Sequence, residues 1–258
     1  MSDSGSASAS QTTNGFLDTL GVNIHSGTTP GNYGNSAMVL ASLRYLGITH
    51  VRTALPAENV MASTVKALGE GGLKFDFVAN SDITNGGLPG LDAFVKRLAA
   101  FDAAHPDSIF AIEGLNEINI YPFNWLGDGS IAGAVSFQKA LYAAVKGHAD
   151  LVDIPVINLS VGYESQADYA KVGDLGRWSD FANSHPYTNT YQTPDGVMES
   201  SIGKALAASG GDPVILTETG YTTTDGHLYL GTSEQAQAKM ILNNLFNAYE
   251  NGSQKTYL

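Results

Sequence analysis

From residue 20 onward the chain alternates short β-like runs, several with polar residues among the apolar ones, with longer stretches in which apolar residues recur every three or four positions. The runs lie at 20–24, 49–53, 74–79, 109–115, 155–161, 180–185, 213–217 and 255–258. Their length and their alternation with helical stretches predict the strands of a parallel sheet. Between them, helices are predicted near 36–46, 58–69, 91–104, 132–148, 165–175, 197–208 and 233–251. The third sets Leu91, Phe94, Val95, Leu98 and Phe101 at helical spacing and is followed by Pro106. The seventh opens at Thr232 or Ser233 with Glu234 behind it and closes at Gly252, using the residues that cap helix ends.

Eight strands alternating with helices point to a single α/β domain, a (β/α)8 TIM barrel over residues 16–258. No glycine-rich fingerprint follows the first strand, so a dinucleotide-binding open sheet is disfavoured. The last run reaches residue 258, so the expected barrel is truncated in or just after strand 8 and lacks helix 8. Residues 1–15, rich in Ser, Ala and Thr, read as a disordered tail without the apolar stretch of a signal peptide.

Composition narrows the partners. The formal net charge of -12, with basic residues scattered, excludes a phosphate-binding surface, so no nucleic acid is expected. No apolar run nears the roughly 18 residues of a membrane span. With no cysteine, disulfides, thiolate metal sites and cysteine nucleophiles drop out. Nothing in the composition bears on oligomeric state.

In such barrels functional groups gather where strands end. The polar residues there are Asn23 and His25 on strand 1, Arg52 on strand 2, Asn80 on strand 3, and Asn116 and Glu117 on strand 4. Strand 6 contributes His185 and Tyr187, and strand 7 Glu218. Two carboxyls facing each other across a barrel mouth suit glycoside hydrolysis, where their separation decides between retention and inversion. Glu113, four residues before Glu117, is expected to face the same side and to pair with Arg52 or His50, because a lone buried charge is costly. Tyr121, Phe123 and Trp125 follow Glu117 closely and are placed either to stack on sugars or to pack their loop onto the barrel rim.

Four segments resemble the retaining glycosidases of clan A, closest in flavour to families 39 and 5. Glu113-Gly-Leu-Asn-Glu-Ile-Asn119 is similar to their strand 4 motif, with Ile118 where proline is usual. Ser184-His-Pro-Tyr187, Leu216-Thr-Glu-Thr-Gly220 and Gly21-Val-Asn-Ile-His25 are similar to strands 6, 7 and 1. The resemblance implies cleavage of β-glycosidic bonds in a poly- or oligosaccharide through a covalent glycosyl-enzyme, without a cofactor. It implies Glu117 as general acid/base and Glu218 as nucleophile. Asn116 would bind the sugar 2-hydroxyl, Arg52 and Tyr187 would hold Glu218 ionised, and His25, His185, Trp125 and Asn80 would line the substrate site.

Two other readings stand beside it. One is a barrel that binds carbohydrate without cleaving it, because fold does not dictate activity. The other is a metal-dependent hydrolase on His25, Glu117, His185 and Glu218; the sequence lacks the paired strand-end histidines such sites show, so no metal is expected. A polysaccharide substrate favours a secreted or extracellular protein.

Overall fold

The computed structural model describes residues 13–26, 31–57, 60–188, 192–223 and 231–258. Helix α1 (Thr13–Asp18) leads into β1 (Leu20–Asn23), followed by α2 (Ser36–Leu46), β2 (His50–Thr53), α3 (Val60–Glu70) and β3 (Lys74–Ala79). Then come α4 (Ser81–Asn85), α5 (Gly87–Ala104), β4 (Ile109–Leu115), α6 (Ile131–Lys146), β5 (Val156–Ile157) and α7 (Gln166–Val172). The chain continues through β6 (Ala182–Ser184), α8 (Asp195–Ala207), β7 (Val214–Leu216), α9 (Glu234–Glu250) and β8 (Lys255–Tyr257). Two short 3-10 turns, Gly31–Gly34 and Gly162–Glu164, lie in loops.

All the strands pair in parallel in the order β5-β4-β3-β2-β1-β8-β7-β6. A parallel bridge between Ile157 and Phe181 joins the two ends, and the Asn158 amide donates to the Phe181 carbonyl at 2.9 Å. The result is the expected eight-stranded (β/α)8 barrel, nearly closed. Its elements match the predicted ones to within a few residues because local chemistry marks their ends. Asn35 accepts from the Met38 amide at the start of α2, Ser233 accepts from Ala236 at the start of α9, and Gly47 takes the left-handed conformation that ends α2.

The segment read as a tail behaves differently at its end. Residues 1–12 lie outside the described residues, but α1 begins at Thr13, inside the predicted tail. Phe16 stacks on Phe246 of α9 at 4.5 Å between ring centroids, which anchors this helix on the side where the strands begin. A lone phenylalanine in a polar stretch carries little helical signal; its partner lies at the other end of the chain.

The largest apolar cluster lies between the sheet and its helices, where Phe75, Phe77, Leu98, Phe101 and Phe137 pack. Inside the barrel a smaller group, Ala111, Ile157, Ile215 and Tyr257, forms a floor. Above it the inward positions of β2, β3 and β4 hold Arg52, Asp76 and Glu113, all buried. The Tyr257 ring lies against Gly21, its register partner on the neighbouring strand β1, and a Cβ at Gly21 would stand 2.5 Å from it. Gly21→Ala is therefore expected to lower unfolding stability by about 1–3 kcal/mol through overpacking, read as an earlier midpoint in denaturant. An unchanged midpoint would show that the ring yields freely.

Candidate active site

Arg52 organises the mouth of the barrel. Its Nε and Nη2 donate to Glu113 at 2.5 and 2.9 Å, and Nη2 also donates to Asn116 Oδ1 at 2.7 Å. Nη1 donates to Glu218 Oε1 at 2.8 Å and to Asn23 Oδ1 at 3.0 Å. A guanidinium has five N–H donors, so this one is saturated. Burial alone would lower its pKa, but the charge and bonds of Glu113, with Glu218 and Asp76, outweigh that and raise it. No donor remains for Asp76, whose carboxyl is pushed well above its usual range by burial and by the Glu113 charge.

A second chain of bonds sets a histidine. The Asn183 amide donates to Glu113 Oε1 at 2.9 Å and to the Asn158 carbonyl at 3.0 Å, so its oxygen must face Thr217. That oxygen accepts from the Thr217 hydroxyl at 2.7 Å, which uses the single hydroxyl proton. Thr217 Oγ1 can then accept from His185 Nε2, 2.8 Å away. This places a proton on Nε2, while Nδ1 faces Glu117 Oε1 at 3.2 Å and Glu218 Oε2 at 3.7 Å.

The two carboxylates are held differently. Glu218 follows β7; its Oε1 takes the Arg52 bond, and its Oε2 accepts from the Tyr187 hydroxyl at 2.9 Å. Burial tends to raise its pKa, yet the nearby His185 and Arg52 and the two hydrogen bonds prevail and hold it below the usual carboxylate range. Tyr187 is pushed the other way, by burial and by the Glu218 charge, and so remains a hydrogen-bond donor. Glu117 sits in the left-handed region at φ 44°, with its amide donating to Ser160 Oγ at 2.8 Å. Because β4 ends at Leu115, strand alternation does not extend to Glu117; its direction comes from this turn.

Two cavities meet at the pair. One, of about 410 Å³, is lined by Asn23, His25, Arg52, Asn80, Asn116 and Glu218 among others. The other, of about 950 Å³, is lined by Glu117, Tyr163, His185 and Tyr187 among others. Glu218 and Tyr121 border both.

Glu117, Glu218, Asn116, Arg52, His185 and Tyr187 are thus brought together. His25 and Asn80 lie on the wall of the smaller cavity; Asn80 also caps α4, accepting from the Ile83 amide at 3.4 Å. Trp125 is a correction. It is 2% exposed and packs edge-on against Phe137 at 5.1 Å, so its faces belong to the core beneath the loop and are closed to a sugar. Glu113 pairs with Arg52, while His50 meets Phe110 edge-on at 5.1 Å. Sequence reasoning passed over Asn183 and Thr217, although polar residues inside short apolar strands were a readable signal. His227 and Tyr229, which follow β7 in the chain, lie outside the described residues.

The facing atoms of Glu117, His185 and Glu218 lie within 4.8 Å of one another. Such a set can exchange protons or hold a cation. The Arg52 charge, 2.8 Å from Glu218, opposes a cation there and favours proton chemistry.

No family model matches the chain, and no curated protein matches it. Among solved structures, a Rhizomucor miehei beta-1,3-glucanosyltransferase active-site mutant in complex with laminaritriose superposes with a TM-score of 0.64 at 16% identity, covering 94% of this chain and 87% of that one. An endo-beta-1,3-glucanase of Amycolatopsis mediterranei in complex with laminaripentaose gives 0.56 at 14% identity, covering 93% and 87%. A Bacteroides uniformis beta-glucuronidase 2 gives 0.65 at 13%, with 93% of this chain covering 30% of that one. At these identities the likeness is one of fold.

Arg52→Leu should cost about 3–5 kcal/mol in denaturant unfolding, because it strands the buried Glu113 charge. A loss below 1 kcal/mol would contradict the role given to Arg52. Because the folded pKa of Glu218 is depressed, its ionisation contributes stability that is present above its unfolded pKa, about 4. That contribution is lost as pH falls through the folded value. The stability of the parent relative to Glu218→Gln should therefore be flat near neutrality and decline on acidification; a pH-independent difference would remove the linkage.

Proposed function

We propose that this barrel is a retaining glycoside hydrolase that cleaves β-glycosidic bonds in a poly- or oligosaccharide by double displacement. The observation that carries this reading is the approach of a Glu117 oxygen and a Glu218 oxygen to within 4.8 Å. That close approach supports the narrow pair of retaining enzymes, with carboxyls about 5–5.5 Å apart, over the wider pair of inverting ones. The solved structures of similar fold support a carbohydrate substrate, since a glucanosyltransferase, a glucanase and a glucuronidase are among them.

In the first step Glu218, kept ionised by Arg52 and Tyr187, attacks the anomeric carbon while Glu117 gives its proton to the departing oxygen. His185 Nδ1, 3.2 Å from Glu117 Oε1, fixes the direction in which the Glu117 carboxyl faces the cleft. In the second step Glu117 takes a proton from water, which attacks the same carbon and frees Glu218. Asn116, its oxygen held by Arg52, keeps its N–H2 for the 2-hydroxyl of the sugar in the smaller cavity. With such a substrate, the protein would act outside the cell.

Glu218→Gln should reduce turnover of an aryl β-glycoside to background, and Glu117→Gln should lower it by about 100- to 10,000-fold, with both variants folded. NMR of the first product should show the β-anomer. Full activity in either variant, or α-product, would overturn the mechanism; loss of activity on adding EDTA would favour the metal reading.

A further inference from the structure

The larger cavity has a feature that catalysis at the carboxylate pair does not require. Tyr163 stands on its rim, 87% exposed, with a backbone φ of 57°, and Glu164 follows at φ 50°. Two consecutive left-handed non-glycine residues are costly and persist only where surrounding bonds impose them.

Those bonds come from several directions. Asn119 accepts from the Gly162 amide at 2.7 Å and donates to the Gly162 carbonyl at 3.1 Å. The Glu164 carboxylate accepts from Ser184 Oγ at 2.7 Å and from the His185 amide at 2.9 Å, while Lys204 donates to the Glu164 carbonyl at 2.9 Å. The turn is therefore tied to the loop after β4, to β6 and to α8, and all this structure presents one aromatic ring to solvent.

We infer that Tyr163 is a rigid stacking platform for a sugar ring, and that the larger cavity is the saccharide-binding subsite on the leaving-group side of the scissile bond. The side assignment rests on the proposed function: Glu117, the proton donor, borders only this cavity, and Asn116 borders only the other. Ile120, Tyr121 and Tyr187, each at least 37% exposed, border the same space, so apolar surface is concentrated where a sugar's C–H face would lie. The charge selects the ligand. Besides Glu117, which meets the sugar as proton donor, Glu164 and Glu218 face this cavity against one ammonium, Lys204, which favours neutral sugars over uronic acids.

Calorimetry in the Glu117→Gln background, which suppresses turnover and keeps the Glu218 charge, with cellopentaose, laminaripentaose, mannopentaose and pentagalacturonate as probes, tests this. At least one neutral pentasaccharide should bind, and adding Tyr163→Ala should weaken it about tenfold. Adding Tyr163→Phe should leave affinity within about twofold, because the ring and not the hydroxyl makes the contact. Tyr163→Trp should show an emission shift on titration with the same sugar. Equal affinity of the Ala and parent proteins, or preference for pentagalacturonate, would overturn the inference. If no glycoside is hydrolysed but Tyr163-dependent binding holds, the hydrolase reading fails and the platform stands. If hydrolysis proceeds and the Ala variant binds unchanged, the platform alone fails.

Discussion

A single guanidinium in the barrel mouth determines the geometry around it. Arg52 donates to residues at the ends of β1, β4 and β7 from its own place in β2, and every donor it has is used. A buried charge of this kind is tolerated only when its partners are fixed and complete. The requirement also works in reverse: Asn23, Glu113, Asn116 and Glu218 are held by one rigid planar group, so the position of each is tied to the others. Arginine suits this where lysine would not, because its fork fixes directions as well as distance.

The polar layer separates the protonation states of its carboxyls by environment. Glu218 receives two strong donors and is driven toward the ionised form; Asp76, beneath the saturated arginine, receives none from it and is driven toward the neutral form. Glu117 faces a histidine whose ring is oriented through Thr217 and Asn183 by the same Glu113 that anchors Arg52. The two networks thus share one buried carboxylate. Below them, the apolar floor keeps this polar layer away from the strand-starting end of the barrel.

Much of this was legible along the chain. Eight short strand-like runs alternating with helical stretches, and the chemistry of helix ends, predicted the barrel, because period and capping are local properties. The carboxylate pair and Arg52 were legible because barrel topology brings strand ends together. What escaped depends on tertiary detail. Trp125 sits three residues from a site-facing loop segment, yet its ring turns under the loop to meet Phe137, and spacing does not encode which way a loop residue turns. The direction of Glu117 was read from strand alternation, but β4 ends two residues earlier and a left-handed turn takes over. Tyr163 looked like an ordinary loop residue because only the bonds around it reveal that its conformation is enforced.

The conformation of Glu117 has an implication for how such a site persists. At φ 44° a side chain strains its own backbone, and glycine is the residue that would remove the strain. The position proposed to supply the proton donor is thus one at which folding by itself would prefer no side chain. Stability and chemistry compete for this residue, so a screen for thermal robustness alone would be drawn toward replacing the acid.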